Sequence, residues 1–223
     1  YTGVLGSVLL CDLIDQSHEV IPIGRKLLQS KSAPLQYIDI DNVGPDYVID
    51  EVDIIIHCAG LAHQTTTTTT KHLNPIMQKK YWDTNVELTR KIMGIAVSSK
   101  VKKVVFISTI KVNRSQTCEE IISGTDVNCD NDDIYAQTKS VAEKIVCEIS
   151  KKNQIEYIVF RPTVMYGKKL KGNLKKVENF FENRKFAVLP FGNFTNKKSF
   201  LSVHNFSNLI TIACKNSVPS GIY

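Results

Sequence analysis

Short apolar runs alternate with longer amphipathic stretches along this 223-residue chain. The runs are rich in Val and Ile, which is typical of strands buried on both faces of a parallel sheet. Apolar residues recur at helical spacing at the start of the chain, after residue 3, and at about 43–50, 76–99 and 135–152, so these segments are predicted helices. The predicted strands occupy residues 19–23, 35–40, 52–58, 101–108 and 155–160.

The alternation of strands and helices predicts the fold class and the place of the ligand site. Strands that alternate with helices form a doubly wound α/β sheet of the Rossmann type, which binds ligands at the carboxyl ends of its strands. The rhythm breaks after Arg161 and Pro162. We therefore predict a first domain over residues 1–163. Residues 164–223 are predicted to be a small, incomplete lobe that covers the cleft and interleaves with the last elements of the sheet.

The first residues of the chain match the end of a glycine-rich turn that runs into a helix. In a dinucleotide-binding turn, one glycine permits the bend, one lets the backbone approach pyrophosphate, and one lets the helix pack closely on a strand. Gly3 and Gly6 fit the last two positions. The first glycine and the strand before it would precede Tyr1, so we expect the chain to lack its first strand. The alternative interpretation is an ordinary helix start.

Composition and charge narrow the class of protein. With 43% hydrophobic and 22% charged residues, the chain suits one domain with a sizeable core, or one domain and part of another. No apolar run approaches the roughly 18 to 20 residues that span a bilayer, so no membrane association is expected. The net charge of +6 comes from scattered lysines without a nucleic-acid-binding module. The six cysteines form no CxxC pair, which argues against a metal site or a disulfide framework and favours reduced cytoplasmic thiols.

The segment from Tyr135 to Lys139 carries the candidate chemistry. A phenol and an ammonium four residues apart lie on one face of a helix, and Thr109 at the end of a predicted strand adds a hydroxyl. Together they form a proton-transfer set suited to a carbinol carbon. A Tyr four residues before a Lys is expected about once by chance in a chain of this composition, so the motif depends on its surroundings.

Those surroundings carry a family resemblance. The chain resembles the extended short-chain dehydrogenase/reductases, and within them the NAD-dependent epimerase/dehydratase branch that acts on nucleotide sugars. The matching segments occur in the family's order: Thr2 to Ser7, Asp39-Ile40, Ile56 to Gly60, Thr84-Asn85-Val86, Ser108-Thr109, Tyr135 to Lys139, and Arg161 to Gly167.

The resemblance assigns roles to the candidate residues. It implies that Tyr135 is the general acid/base, that Lys139 and the nicotinamide lower the pKa of its phenol, and that Thr109 bonds the reacting oxygen. It also implies substrate contacts at Thr109, Asn173 and Lys198, and no metal. The cofactor, NAD or NADP, is expected to contact Gly3, Gly6, Arg25, Asp39, Ile40, Cys58, Ala59, Gly60, Asn85, Lys139, Arg161 and Pro162.

Two departures from the family pattern narrow the reaction. Dehydratases of the family have an Asp-Glu pair after the catalytic threonine, whereas this chain has Ile110-Lys111, so a 4,6-dehydratase is not expected. At the end of the second strand, Arg25 stands near the position of an acidic residue that would hold the adenosine ribose. A guanidinium there suits the 2′-phosphate of NADP, and stacking on adenine is the alternative.

The resemblance therefore implies an NAD(P)-dependent enzyme that acts at C4 of a UDP-hexose or UDP-hexosamine in surface-polysaccharide precursor synthesis. Epimerase and ketoreductase remain open, because both use the same residues. The alternatives are an NADP-dependent reductase of a non-sugar carbonyl and a catalytically silent dinucleotide sensor. The expected partner is the nucleotide sugar, without nucleic acid or membrane, and the choice between a monomer and a homodimer is left open.

Overall fold

The computed structural model describes residues 3–25, 36–62, 74–113, 133–167 and 199–223. Within these segments the predicted alternation of strands and helices is present. In chain order the elements are α1 (Val4–Asp15), β1 (Ile23–Gly24), β2 (Ile38–Asp39), a 3₁₀ turn (Ile40–Asn42), β3 (Ile54–His57), α2 (Pro75–Trp82), a π-helical turn (Asp83–Glu87), α3 (Leu88–Ser98), β4 (Lys103–Ile107), a second 3₁₀ turn (Ile110–Val112), α4 (Ile134–Lys152), β5 (Glu156–Phe160), β6 (Val164–Tyr166), β7 (Phe200–Ser202), α5 (Val203–Lys215) and β8 (Gly221–Ile222).

All strand pairs of the described segments are parallel. The largest sheet has four strands in the order β3-β4-β5-β8, and β1-β2 and β6-β7 form separate pairs. In the central sheet, His57 of β3 pairs with Phe106 of β4, and Ile107 pairs with Phe160 of β5. The carboxyl ends of these strands therefore meet at one edge, where the sequence predicts the ligand site.

Helices cover both faces of the central sheet. Val104 and Phe106 of β4 point into a core shared with α3 and α4. Val105 and Ile107 of the same strand point into a second core with α1 and α5. Every residue of β4 is buried. The strand thus has no solvated face, which explains its nearly continuous apolar sequence and confirms the predicted doubly wound α/β fold.

Local sequence explains where the functional helix begins. Asp133 precedes α4, and its Oδ1 accepts hydrogen bonds from the backbone N–H groups of Tyr135 at 2.9 Å and Ala136 at 3.3 Å. An aspartate at this position satisfies N–H groups that the first helical turn leaves without partners. Asp133 also forms an ion pair with Lys111 at 2.9 Å. The start of α4 is therefore tied to the segment that follows β4.

The helix predicted over residues 43–50 is wrong. The structure has a 3₁₀ turn over Ile40–Asn42 and then an irregular segment. Gly44 and Pro45 lie inside this segment, and both oppose a regular helix there. The segment instead packs on α3, where a Cβ on Gly94 would come within 2.6 Å of Pro45 Cβ. The absent side chain of Gly94 allows this close approach of the two backbones.

Residues on both sides of position 163 build the central sheet and its helical layers. β8 is a strand of that sheet, and α5 packs in the core with α1 and β4. The division into residues 1–163 and 164–223 stays a prediction. Within the described segments, no helix is both long and apolar enough to cross a bilayer.

Candidate active site

Three successive turns of α4 contact three consecutive residues at the end of β4. Tyr135 forms a side-chain hydrogen bond with Thr109. Lys139 Nζ donates to the carbonyl oxygen of Ile107 at 2.5 Å. Glu143, one turn further on, accepts a hydrogen bond from the Ser108 hydroxyl. The structure therefore brings together Tyr135, Lys139 and Thr109, as the sequence predicts.

The phenol of Tyr135 lies in a buried, mainly apolar environment. Its helix packs against Leu61 and Tyr81, which form a small core with Ile134. Burial raises the pKa of Tyr135 to about 12, while the hydrogen bond with Thr109 acts in the opposite direction. Loss of hydration is the largest of these effects. The lowering of this pKa by Lys139 together with the nicotinamide stays a prediction.

The ammonium group of Lys139 is held inside the protein. Its side chain is buried, and Nζ lies 4.1 Å from the centroid of the Phe106 ring. Burial lowers the pKa of Lys139 to about 7, against the effects of Glu143 and Cys58, which raise it. An amine that titrates near neutral pH one helical turn from a phenol can assist proton transfer, since it changes charge easily in the working range.

The loop after β3 is fixed by Asn85. Leu61 N donates to Asn85 Oδ1 at 2.7 Å, and Asn85 Nδ2 donates to Thr138 Oγ1 at 3.0 Å. Asn85 lies in the π-helical turn Asp83–Glu87 and is buried. Its polar atoms therefore hold the loop to α4. The cofactor contact predicted for Asn85 stays a prediction, and the described bonds indicate that Asn85 positions the loop.

The same loop contains three of the predicted cofactor contacts. Ala59 and Gly60 are exposed, and Cys58 is half-buried. A Cβ on Gly60 would lie 3.2 Å from Asn85 Oδ1 and 3.6 Å from Lys139 Nζ. Glycine at this position thus leaves space directly beside the ammonium. A ligand lying across the ends of β3 and β4 would reach Lys139 through this space.

The start of α1 fits the phosphates of a dinucleotide. Gly3 is the N-cap residue, it offers no side-chain cap, and a Cβ built on it would meet nothing within 4 Å. Gly6 is buried inside the helix. A helix N-terminus with uncapped N–H groups and open space attracts anions. The residues present therefore fit the dinucleotide that the sequence predicts.

Arg25, Asp39 and Ile40 lie at the ends of the β1-β2 pair. Arg25 directly follows β1 and is exposed. Asp39 caps the 3₁₀ turn and accepts from Asp41 N at 3.1 Å, and Ile40 is buried. The three residues share one sheet edge, because Gly24 pairs with Asp39. This placement is compatible with the cofactor contacts predicted for them, which stay predictions.

Arg161 forms an ion pair in the protein interior. Its guanidinium lies in the interior, where Nη2 is 2.7 Å from Glu143 Oε2 and Nε is 3.0 Å from Glu143 Oε1. Nη1 donates to Asn113 Oδ1 at 3.2 Å. The side chain thus faces the protein, and the cofactor contacts expected for Arg161 and Pro162 stay predictions. Glu143 is not among the predicted site residues, although its position four residues after Lys139 places both on one helix face.

Two predicted substrate residues, Asn173 and Lys198, lie outside the described residues. Among the described residues, His, Cys, Asp and Glu form no group of three or more that could hold a metal ion.

The geometry defines a class of protein. A parallel sheet between two helical layers, with a tyrosine, a lysine and a threonine at its strand ends, is the arrangement of a short-chain dehydrogenase/reductase. The chain belongs to the NAD dependent epimerase/dehydratase family, whose sequence model matches residues 1–223. This confirms the resemblance found in the sequence motifs.

Two proteins of known name are similar to this chain in sequence. The chain is 30% identical to a UDP-glucose 4-epimerase of Vibrio cholerae over 213 residues, which is 94% of this chain and 63% of the relative. It is 29% identical over 140 residues to the N-acetyl-alpha-D-glucosaminyl-diphospho-ditrans,octacis-undecaprenol 4-epimerase of Escherichia coli O157:H7, covering 61% of this chain and 40% of the relative. The chain thus spans less than two thirds of the length of either relative.

A solved structure shares the fold. The UDP-glucuronic acid 4-epimerase from Bacillus cereus, crystallised with NAD, superimposes with a TM-score of 0.78 at 17% identity, over 98% of this chain and 72% of that protein. At this identity the likeness establishes the fold.

Proposed function

We propose that this chain carries the catalytic part of an NAD-dependent nucleotide-sugar 4-epimerase. The observation that carries the proposal is the juxtaposition of the half-buried Tyr135 with the buried Lys139 and Thr109 at the carboxyl ends of the central strands. The two relatives described above are named as 4-epimerases, and the name of one of them gives UDP-glucose as its substrate. A UDP-hexose or a UDP-hexosamine is accordingly the proposed substrate class.

The mechanism assigns one task to each residue. NAD, when bound along the strand ends, would accept the hydride from C4 of the sugar and return it to the opposite face. Tyr135 takes the proton of the C4 hydroxyl and gives it back. Thr109, already bonded to Tyr135, fixes the sugar oxygen within reach of the phenol. Gly3, Gly6 and the loop from Cys58 to Gly60 would hold the dinucleotide.

Lys139 must offset the cost of a buried phenolate. The pKa of Tyr135 is raised to about 12, so its phenol stays protonated at neutral pH. A nearby positive charge is needed to stabilise the phenolate, which is the form that accepts a proton. Lys139 lies one turn away on the same helix and supplies such a charge when protonated. The proton transfer therefore depends on the ligand and on Lys139 together, which restricts it to the loaded enzyme.

The segment after Thr109 argues against water elimination. Ile110 is half-buried, and the Lys111 ammonium pairs with Asp133 at 2.9 Å. A 4,6-dehydratase needs an acid and a base for C5 and C6, and neither side chain offers them. We therefore infer oxidation and reduction at C4 without elimination.

A C4 ketoreductase is the second candidate. Arg25 is exposed at the end of β1, where a guanidinium would suit the 2′-phosphate of NADP. Such an enzyme would reduce a 4-keto sugar once and release it. The same side chains would serve both reactions.

Activity measurements on the purified protein test both candidates. The protein is incubated separately with UDP-glucose and UDP-N-acetylglucosamine in the presence of NAD, and with a UDP-4-keto-6-deoxy-hexosamine in the presence of NADPH. Proton NMR of the sugar follows inversion at C4, and absorbance at 340 nm follows net oxidation of NADPH. Inversion without net change in the cofactor supports the epimerase. Stoichiometric NADPH consumption identifies the ketoreductase, and inactivity on all three sugars contradicts the proposed function.

A further inference from the structure

A buried ion pair lies directly behind the proposed catalytic residues. Arg161 contacts both carboxylate oxygens of Glu143, at 2.7 and 3.0 Å, in a fork geometry. The Arg161 and Glu143 side chains are 2% and 5% exposed. Burying two charges costs free energy even when they form an ion pair. A gain in folding stability alone is therefore a poor explanation for the presence of this pair. Its position suggests a second task.

The pair holds both ends of the segment that carries Thr109. At one end, the Ser108 hydroxyl donates to Glu143 Oε1. At the other end, Arg161 Nη1 donates to the side chain of Asn113, the residue that closes the 3₁₀ turn begun by Thr109. Movement of the pair would therefore displace Thr109 relative to Tyr135.

Glu143 also acts on Lys139 from the next turn of α4. Both side chains are buried, and the carboxylate favours the charged form of the amine against the effect of burial. The other titratable groups that interact with this amine are His57 and Cys58 at the end of β3. Of these groups, only Glu143 is held in place by an ion pair of its own.

We propose that Glu143, fixed by Arg161, is a positioning residue for the proton transfer at Tyr135. It holds the Ser108-Thr109 strand end against α4 and supplies the negative charge that favours the ammonium form of Lys139, one helical turn from Tyr135. This inference rests on the proposed function for its kinetic consequence. Its structural consequence, the state of Lys139, can be measured without any substrate.

The test removes both charges of the pair together. Glu143→Gln alone would leave the Arg161 charge buried without its partner and would endanger folding. The double variant E143Q/R161Q keeps hydrogen-bonding amides at both positions and changes no net charge. Glu148→Gln, on an exposed position of the same helix, is the matched control. All variants are made in the full-length protein.

Two readouts separate a positioning role from a purely structural one. The pKa of Lys139 is followed by NMR of protein labelled at lysine ¹³Cε, with the signal assigned from its loss in Lys139→Met. Turnover and NAD affinity are measured on the same preparations. We expect the double variant to unfold cooperatively and to bind NAD with an affinity within about threefold of the parent. Its Lys139 pKa should be lower than in the parent. Its kcat should be reduced by about 10²-fold, the scale of a misplaced reacting group. Glu148→Gln should match the parent in all four.

A folded double variant with the parent's Lys139 pKa and the parent's kcat would overturn the proposal. If the parent has no turnover on any sugar, the proposed function fails, and the Lys139 titration alone decides the inference. If the double variant does not fold, Ser108→Ala replaces it, because this change leaves the ion pair intact. We then expect kcat to fall at least about threefold at unchanged Lys139 pKa, and an unchanged kcat would contradict the positioning role.

Discussion

The Lys139 ammonium lies 4.1 Å from the centroid of the Phe106 ring. Phe106 is fully buried at the centre of the sheet, so a ring of the hydrophobic core forms one wall of the proposed active site. A cation over a desolvated aromatic face gains about 2 kcal/mol. This interaction and the bond to the Ile107 carbonyl oxygen fix the lysine independently of any ligand.

Replacement of Tyr135 by Phe should abolish most of the activity and leave the fold intact. The change removes the proton-transferring hydroxyl and its bond with Thr109 but keeps the ring in its apolar site. We expect turnover to fall by roughly 10²- to 10⁴-fold, the range for a positioned general acid or base. Steady-state kinetics of the full-length protein measure this effect. Tyr47→Phe, at an exposed tyrosine outside the site, is the control, and a Tyr135→Phe turnover within twofold of the parent would exclude Tyr135 from the mechanism.

Replacement of Arg25 by Ala tests the choice of cofactor. If its guanidinium pairs with a 2′-phosphate, the variant should bind NADPH more weakly by about 1.5 to 3 kcal/mol, the scale of a charge-assisted hydrogen bond. NADH affinity should change far less. Fluorescence titration with both cofactors gives the two values, and Arg90→Ala on the exposed face of α3 serves for comparison. Equal losses for NADH and NADPH would indicate that Arg25 stacks on the adenine.

Stability should fall with acidity because of His57. Burial lowers the pKa of His57 to about 3, with the nearby Lys139 charge as a second cause. The unfolded chain takes up this proton near pH 6.5, whereas the folded protein does not until about pH 3. The free energy of unfolding therefore decreases as the pH drops through this window, by up to about 1.4 kcal/mol per pH unit.

Urea unfolding at pH 7 and at pH 4.5 measures the contribution of His57. His57→Gln can keep the bond to Thr89 Oγ1, which is 2.9 Å from Nε2 in the parent, and it removes the titration. The difference in stability between the two pH values should then shrink. His204→Gln, at an exposed position on α5, should leave that difference as in the parent. An unchanged difference in the His57 variant would show that other groups cause the acid sensitivity.

Lys103 should matter for stability, unlike its neighbour Lys102. Lys103 Nζ donates to the carbonyl oxygens of Ala213 at 3.3 Å and Asn216 at 3.1 Å, and so satisfies the end of α5 from the start of β4. Lys103→Met leaves these carbonyl groups without that donor and should cost about 1 to 3 kcal/mol. Lys102→Met removes only an exposed ion pair with Asp53 and should have little effect. Thermal and urea unfolding compare them, and equal losses would contradict the assigned role of Lys103.

Much of the fold could be predicted because buried parallel strands have a simple sequence signature. The Val- and Ile-rich runs at residues 101–108 and 155–160 became β4 and β5, and the helical spacing after residue 135 became α4. The helix predicted over residues 43–50 is absent, because the spacing of apolar residues carries no information on the backbone constraints of Gly44 and Pro45. The packing of Pro45 on Gly94 joins residues far apart in the chain, and no local pattern encodes it.

In the candidate site, too, local features could be predicted and features that depend on tertiary packing could not. Tyr135, Lys139 and Thr109 could be predicted, because their spacing and strand-end position are properties of the chain. The effect of burial on the pKa of Tyr135 could not, since it depends on how the chain packs around the side chain. Arg161 was assigned to the cofactor from its neighbourhood in sequence, yet its ion pair with Glu143 forms only when α4 lies across the end of β5.

The register between α4 and β4 restricts insertions and deletions as well as substitutions. The three contacting helix residues are four residues apart, about 6 Å along the axis, and their partners are the three consecutive residues Ile107, Ser108 and Thr109. One residue inserted between Tyr135 and Glu143 would rotate the following side chains by about 100° and turn Glu143 away from Ser108. Point substitutions elsewhere in α4 can accumulate without this effect. Over long divergence, the length of this nine-residue stretch should therefore persist after most of its sequence has changed.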